Sequence, residues 1–118
     1  VLRHARESGL PFSPGVMTPT DIDISLQENC HVLKYFPATS AGGMAHLKNI
    51  AAPFAHLGIG FIPLGGIGES NLAEWLGAPG VVAVGGSWLA PGELIESGDW
   101  AAITDLARQA RQIANGTG

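Results

Sequence analysis

Lys34 sits in the run Val32-Leu33-Lys34-Tyr35-Phe36-Pro37, where a cation interrupts residues otherwise suited to burial. Two readings fit this pattern. The lysine can belong to an edge strand, its stem along apolar surface and its head in solvent. Alternatively it is a nucleophile: apolar surroundings disfavour an ammonium ion, and a neutral amine can add to a carbonyl and form a Schiff base. A second chemical signal is a pair of glycine-rich segments, Leu64-Gly65-Gly66-Ile67-Gly68 and Val84-Gly85-Gly86-Ser87. Glycine lets backbone N–H groups approach an anion closely, and a helix N-terminus that follows adds a favourable dipole. Either segment alone reads first as a tight turn, but two at successive strand ends make a phosphate site an equal reading. Ser13-Pro14-Gly15 is either a turn or part of a pocket wall at a strand end.

The remaining candidates read as structural. His4, His31, His46 and His56 show no metal-ligand spacing, and Asp21 and Asp23 read as solvating a helix start rather than binding a cation. The single cysteine, Cys30, cannot form an internal disulfide and reads as a small packed residue in a reducing compartment.

Positioning these groups requires a scaffold, and the hydrophobic pattern supplies one. Strand-like runs at residues 11–16, 31–36, 59–64 and 81–84 alternate with helical segments, the pattern of repeated parallel βα units. Their continuous apolar character suits strands covered on both faces. Thr18, Pro19 and Asp21 form a box-like helix start, with Pro at the first position and an acid near the positive end of the dipole. Further helices are predicted from Gly43 through Ile50, after Ser70 with Leu72, Trp75 and Leu76, and after Asp99. The last carries Trp100, Ile103, Leu106, Ala110 and Ile113 as one apolar stripe, expected to be core, and closes at Asn115-Gly116. Residues 2–9 read as the last turns of a helix closed by Gly9 with no visible N-cap, so the chain is expected to begin inside an element. No linker or charge block divides residues 1–118, and a single α/β domain is expected.

The chain has 118 residues, 46% hydrophobic and 14% charged, which argues against disorder. A net charge of −4 with six dispersed Lys and Arg argues against nucleic acid or an anionic membrane surface as partner. The apolar runs are strand-sized and broken by Gly or Pro, so no membrane span is expected, and a cytoplasmic location is. At 118 residues the chain is about half of the ~250 typical of a (β/α)8 barrel. Four parallel strands alone would leave bare edges and an apolar face, so a partner is expected.

Pro14-Gly15, then Lys34-Tyr35-Phe36-Pro37-Ala38, Gly42-Gly43, Pro63-Leu64-Gly65-Gly66-Ile67 and Gly85-Gly86-Ser87-Trp88-Leu89 resemble, in order and spacing, a known enzyme family. It is that of the bacterial 2-keto-3-deoxy-6-phosphogluconate (KDPG) and 4-hydroxy-2-oxoglutarate (KHG) aldolases, in their second half. The resemblance implies the C-terminal half of a TIM (β/α)8 barrel, about four βα units, and a homotrimer or an association that completes the barrel. It implies Lys34 as the imine-forming residue, with no cofactor or metal. Gly65, Gly66, Gly85, Gly86 and the Ser87 hydroxyl would hold a substrate phosphate, and Phe36 and Pro14 would wall the pyruvyl pocket. The substrate implied is a small 2-keto acid or phosphosugar. Two departures stand out: Leu64 where the family usually has Thr, and no segment corresponding to the early strand with the family's acid/base glutamate and carboxylate-binding arginine. A domain that kept the fold and a phosphate-ligand or assembly role without catalysis is the alternative.

Overall fold

A computed structural model describes residues 1–116 of the chain. Helix α1 (Leu2–Glu7) leads to strand β1 (Gly15–Val16), α2 (Pro19–Gln27), β2 (Val32–Tyr35), α3 (Gly43–Ala51), a 3-10 segment (Ala52–Leu57) and β3 (Gly60–Pro63). Then come α4 (Glu69–Leu76), a short 3-10 turn (Ser87–Leu89), α5 (Gly92–Ser97) and α6 (Trp100–Gly116). The three strands form one parallel sheet in the order β1-β2-β3. Gly15 is opposite Lys34, and Lys34 is opposite Ile62.

The helix boundaries follow local chemistry. The Thr18 Oγ1 accepts from the Asp21 N–H, and the Asp21 carboxylate accepts from the Thr18 N–H, closing a reciprocal capping box with Pro19 at the first helical position. Glu28, just past α2, pairs with Arg6 at 2.8 Å and Arg3 at 3.6 Å, tying α1 to the end of α2. At α6 the Asp99 carboxylate accepts from the Ala102 N–H. Gly98, left-handed at φ 71°, ends α5, a helix the periodicity reading overlooked because it spans only six residues.

Alternation along the strands divides the sheet into two unequal faces. Val16, Leu33, Tyr35 and Phe61 are buried against Ile22, Leu47, Ile50 and Trp75 from the helices, and this is the core. The opposite face carries Lys34 and is open: Val32, Phe36 and Val82 are 44–59% exposed. The expectation that the strands are covered on both faces therefore holds for one face only.

The run at residues 81–84 is not a regular strand. It pairs with β3 through two isolated parallel bridges, Phe61 with Val81 and Leu64 with Gly85. The offset grows by one residue between them, and Pro63 lies in the gap. A proline has no N–H to donate to the ladder, so regular pairing stops there and the next bond comes from Gly85 N–H to the Pro63 carbonyl at 3.1 Å. The α6 stripe is also less buried than expected. Ile103, Leu106, Ala110 and Ile113 are half-buried, Trp100 is exposed, and no α6 residue is fully enclosed.

Candidate active site

Lys34 is half-buried on β2, between the enclosed Leu33 and Tyr35 whose side chains point to the core. Its two neighbours across the sheet shape its surroundings differently. Gly15 contributes no side chain and leaves space beside the lysine, whereas Ile62 contributes an apolar wall. The Lys34 backbone is fixed by its N–H, which donates to the Pro14 carbonyl at 2.8 Å. Its Nζ lies 4.8 Å from the centroid of the Phe36 ring, two residues on and on the same face. Of the two aromatic residues that follow it in sequence, only Phe36 flanks it. Tyr35 points the other way, beside His46 and Trp75, with its hydroxyl donating to the Gly43 carbonyl at 3.3 Å. Burial pushes that phenol's pKa up and keeps it a donor.

The lysine opens into a cleft of about 510 Å³ lined by Phe12, Ser13, Gly15, Val16, Met17, Asp21, Lys34 and Phe36. Pro14, expected to wall this pocket, is buried with the parity of Val16 and is absent from the lining. Its sequence neighbours Ser13 and Gly15 line the cleft instead. Asp21 is the acidic group of the cleft. Its Oδ2 accepts from the Met17 N–H at 2.9 Å, the Thr18 N–H at 2.8 Å and the Thr18 hydroxyl at 2.8 Å. Those donors, the Met17 N–H foremost, hold its carboxyl below the usual carboxylate range against the opposing effect of burial.

The two glycine turns lie side by side at the same end of the sheet, joined by the Leu64–Gly85 bridge. Gly65 and Gly66 adopt φ of 99° and 73°, a region closed to most side chains. A Cβ on Gly65 would sit 3.2 Å from Phe36 Cε2, so the ring that covers Lys34 also packs on the first glycine turn. At Gly66 a Cβ would meet Thr39 Oγ1 at 2.6 Å, and that hydroxyl donates to the Gly66 carbonyl. Gly85 admits the Leu64 side chain, whose Cδ2 would be 2.9 Å from an added Cβ. Over Gly86 lies the Trp88 ring, 2.0 Å from where a Cβ would stand. Ser87 begins the 3-10 turn beside it. The Lys34 cleft is not lined by Gly65, Gly66, Gly85, Gly86 or Ser87, and Phe36 touches both regions.

Comparison with known proteins gives one consistent result. The profile of the KDPG and KHG aldolase family matches residues 1–106. The 2-dehydro-3-deoxy-phosphogluconate aldolase of Treponema pallidum (strain Nichols) is 39% identical over 113 residues, 96% of this chain and 53% of that protein. Among solved structures, the KDPG aldolase of Legionella pneumophila, with pyruvate captured at low pH as a covalent carbinolamine intermediate, superposes with a TM-score of 0.82 at 38% identity. The match covers 89% of this chain and 50% of that one. The KDPG aldolase of Zymomonas mobilis ZM4 with 3-phosphoglycerate gives a TM-score of 0.80 at 32% identity, over 92% of this chain and 50% of that one. The chain spans about half the length of the curated relatives it matches. With a lysine on the open face of a parallel sheet, an aromatic ring over its amine and two glycine turns at the sheet end, the chain belongs to the KDPG and KHG aldolase family.

Proposed function

We propose that the protein is a class I aldolase in which Lys34 forms a Schiff base with the C2 carbonyl of a 2-keto acid. The substrates are KDPG, cleaved to pyruvate and glyceraldehyde 3-phosphate, and 4-hydroxy-2-oxoglutarate, cleaved to pyruvate and glyoxylate. The observation that carries this reading is the position of the amine, at the wall of an open cleft and under the Phe36 ring.

The bond changes require the amine and, in addition, a proton acceptor for the C4 hydroxyl. The lone pair of the neutral amine forms the C–N bond while the carbonyl π pair moves to oxygen. A proton passes from nitrogen to that oxygen, the C–O bond breaks, and water leaves with one added proton. The resulting iminium accepts the electron pair released when C3–C4 breaks, while the C4 hydroxyl gives its proton to a base, leaving an enamine of pyruvate and an aldehyde. Protonation at C3 and hydrolysis then return the free lysine and pyruvate. The Gly65-Gly66 and Gly85-Gly86 turns, with the Ser87 hydroxyl, serve the phosphate end of the longer substrate.

C3–C4 cleavage needs a base for the C4 hydroxyl, and a placed base contributes typically 10²–10⁴-fold. Asp21 is poorly suited, since three donors already occupy one of its oxygens and stabilise its ionised form. We expect imine formation with slow aldol turnover from these residues alone. The fold is read as about four βα units of a (β/α)8 barrel, the irregular pairing at residues 81–85 standing for the fourth strand. Its open apolar face favours assembly, either as a homotrimer or by association that completes the barrel.

The test is pyruvate with borohydride followed by peptide mass spectrometry. A stable adduct on Lys34 is expected. An unmodified Lys34 in the intact assembly would leave the second reading, a phosphate-ligand or assembly domain, as the better one.

A further inference from the structure

In the first glycine turn the carbonyls are occupied and the N–H groups are not. The Ala38 N–H donates to the Leu64 carbonyl at 2.7 Å, and the Thr39 N–H to the Gly65 carbonyl at 3.1 Å. The Gly66 carbonyl accepts from two side chains, the Thr39 hydroxyl and the Asn71 amide, each at 3.1 Å. By contrast, the N–H groups of Gly65, Gly66 and Ile67 have no hydrogen-bond partner among the described residues. A peptide unit is planar and trans, so each carbonyl and the N–H that follows it point opposite ways. Holding these three carbonyls therefore turns three successive N–H groups away from the donors, and such groups ordinarily find a partner.

The three anchors are not alike. Two are backbone N–H groups, which side-chain changes leave in place, whereas the third is made by side chains alone. Gly66, at φ 73°, has a permissive backbone, so the plane of the peptide that carries the Ile67 N–H is fixed chiefly by what grips its carbonyl. Thr39 reaches that oxygen from the loop after β2. Asn71 reaches it from the first turn of α4, where its Oδ1 also accepts from the Gly68 N–H at 2.9 Å. We propose that Thr39 and Asn71 are positioning residues: by holding the Gly66 carbonyl, they keep the Ile67 N–H directed, with those of Gly65 and Gly66, at the substrate phosphate. This rests on the phosphate role proposed for the glycine turns. Were the peptide to rotate, a carbonyl oxygen would face the anion in place of an N–H.

The experiment measures borohydride trapping on Lys34, as total adduct by mass spectrometry, against concentration for three probes. These are KDPG, its phosphate-free counterpart 2-keto-3-deoxygluconate, and pyruvate. The native protein is compared with Thr39→Val, Thr39→Ser and Asn71→Ala; Thr39 is exposed, and valine keeps its shape while removing the hydroxyl. The ratio of half-saturating concentrations, 2-keto-3-deoxygluconate over KDPG, is expected to exceed one in the native protein. In Thr39→Val and in Asn71→Ala it should fall toward one, by roughly threefold to tenfold. The rate at saturation and the pyruvate dependence should hold, and Thr39→Ser should stay near the native ratio. An unchanged ratio in either variant overturns the role of that residue and leaves the phosphate site standing. Equal weakening for all three probes overturns the proposal too, since the effect would then lie in the lysine or the fold. A native ratio of one removes the phosphate site itself, and a native protein that traps no probe removes the Schiff base; the proposal falls with either.

Discussion

Replacing Lys34 with methionine removes the amine and keeps an unbranched stem of similar reach. Because the side chain is half-buried and forms no ion pair among the described residues, Lys34→Met is expected to abolish the pyruvate adduct and change stability by no more than about 0.5 kcal/mol. Mass spectrometry and a denaturant titration check the two halves of that statement. Gly86 behaves oppositely. Its φ of −173° suits any residue, so the need for glycine there is steric and comes from the Trp88 ring. Gly86→Ala should displace that ring, cost about 1–3 kcal/mol as overpacking does, and shift the tryptophan fluorescence; an unaltered spectrum and melt would contradict this. Of the residues singled out from the sequence, Lys34 and Phe36 come together in the cleft, whereas Pro14 does not. The Ser13-Pro14-Gly15 segment was recognisable as a strand end, but which of the three lines the cleft depends on the path of the backbone into β1. That path was hidden because regular pairing there covers only two residues.

At the scale of elements, α2 shows most directly how local chemistry makes structure. Thr18→Ala removes one side of the capping box and is expected to cost about 1 kcal/mol, measured by chemical unfolding. The same element gives the protein a pH dependence. Asp21 has a folded pKa below its ordinary value of 3.8, so its contribution is full above that value and fades as pH falls through the lower folded one. Asp21→Asn, which retains an oxygen acceptor for the cap, should therefore lose less stability than the native protein on acidification below about pH 4. Identical acid-unfolding curves would argue against it. The capping box, the glycine-ended α5 and the Asp99 cap of α6 are all local events, and for that reason α2 and α6 were readable as sequence. The interruption after β3 was not, since it arises from a missing Pro63 N–H meeting a partner about twenty residues away.

For the molecule as a whole, the helix-covered face holds the stability. Trp75 is 3% exposed and packs against Tyr35, so Trp75→Ala should cost about 3–5 kcal/mol, enough to unfold a marginal domain. The open face holds the chemistry and the exposed apolar side chains together, and light scattering should accordingly find a species larger than one chain. A monodisperse monomer would oppose that expectation. The sequence by itself determined the class of fold, the starts of α2 and α6 and the candidate nucleophile, because periodicity, caps and a lone cation in an apolar strand are properties of neighbouring residues. Only the tertiary structure decided which face of each strand is covered, that Tyr35 turns away from Lys34 while Phe36 covers it, and that Ser13 rather than Pro14 reaches the cleft. Those outcomes depend on register between strands distant in sequence, where a shift of one residue exchanges the two faces.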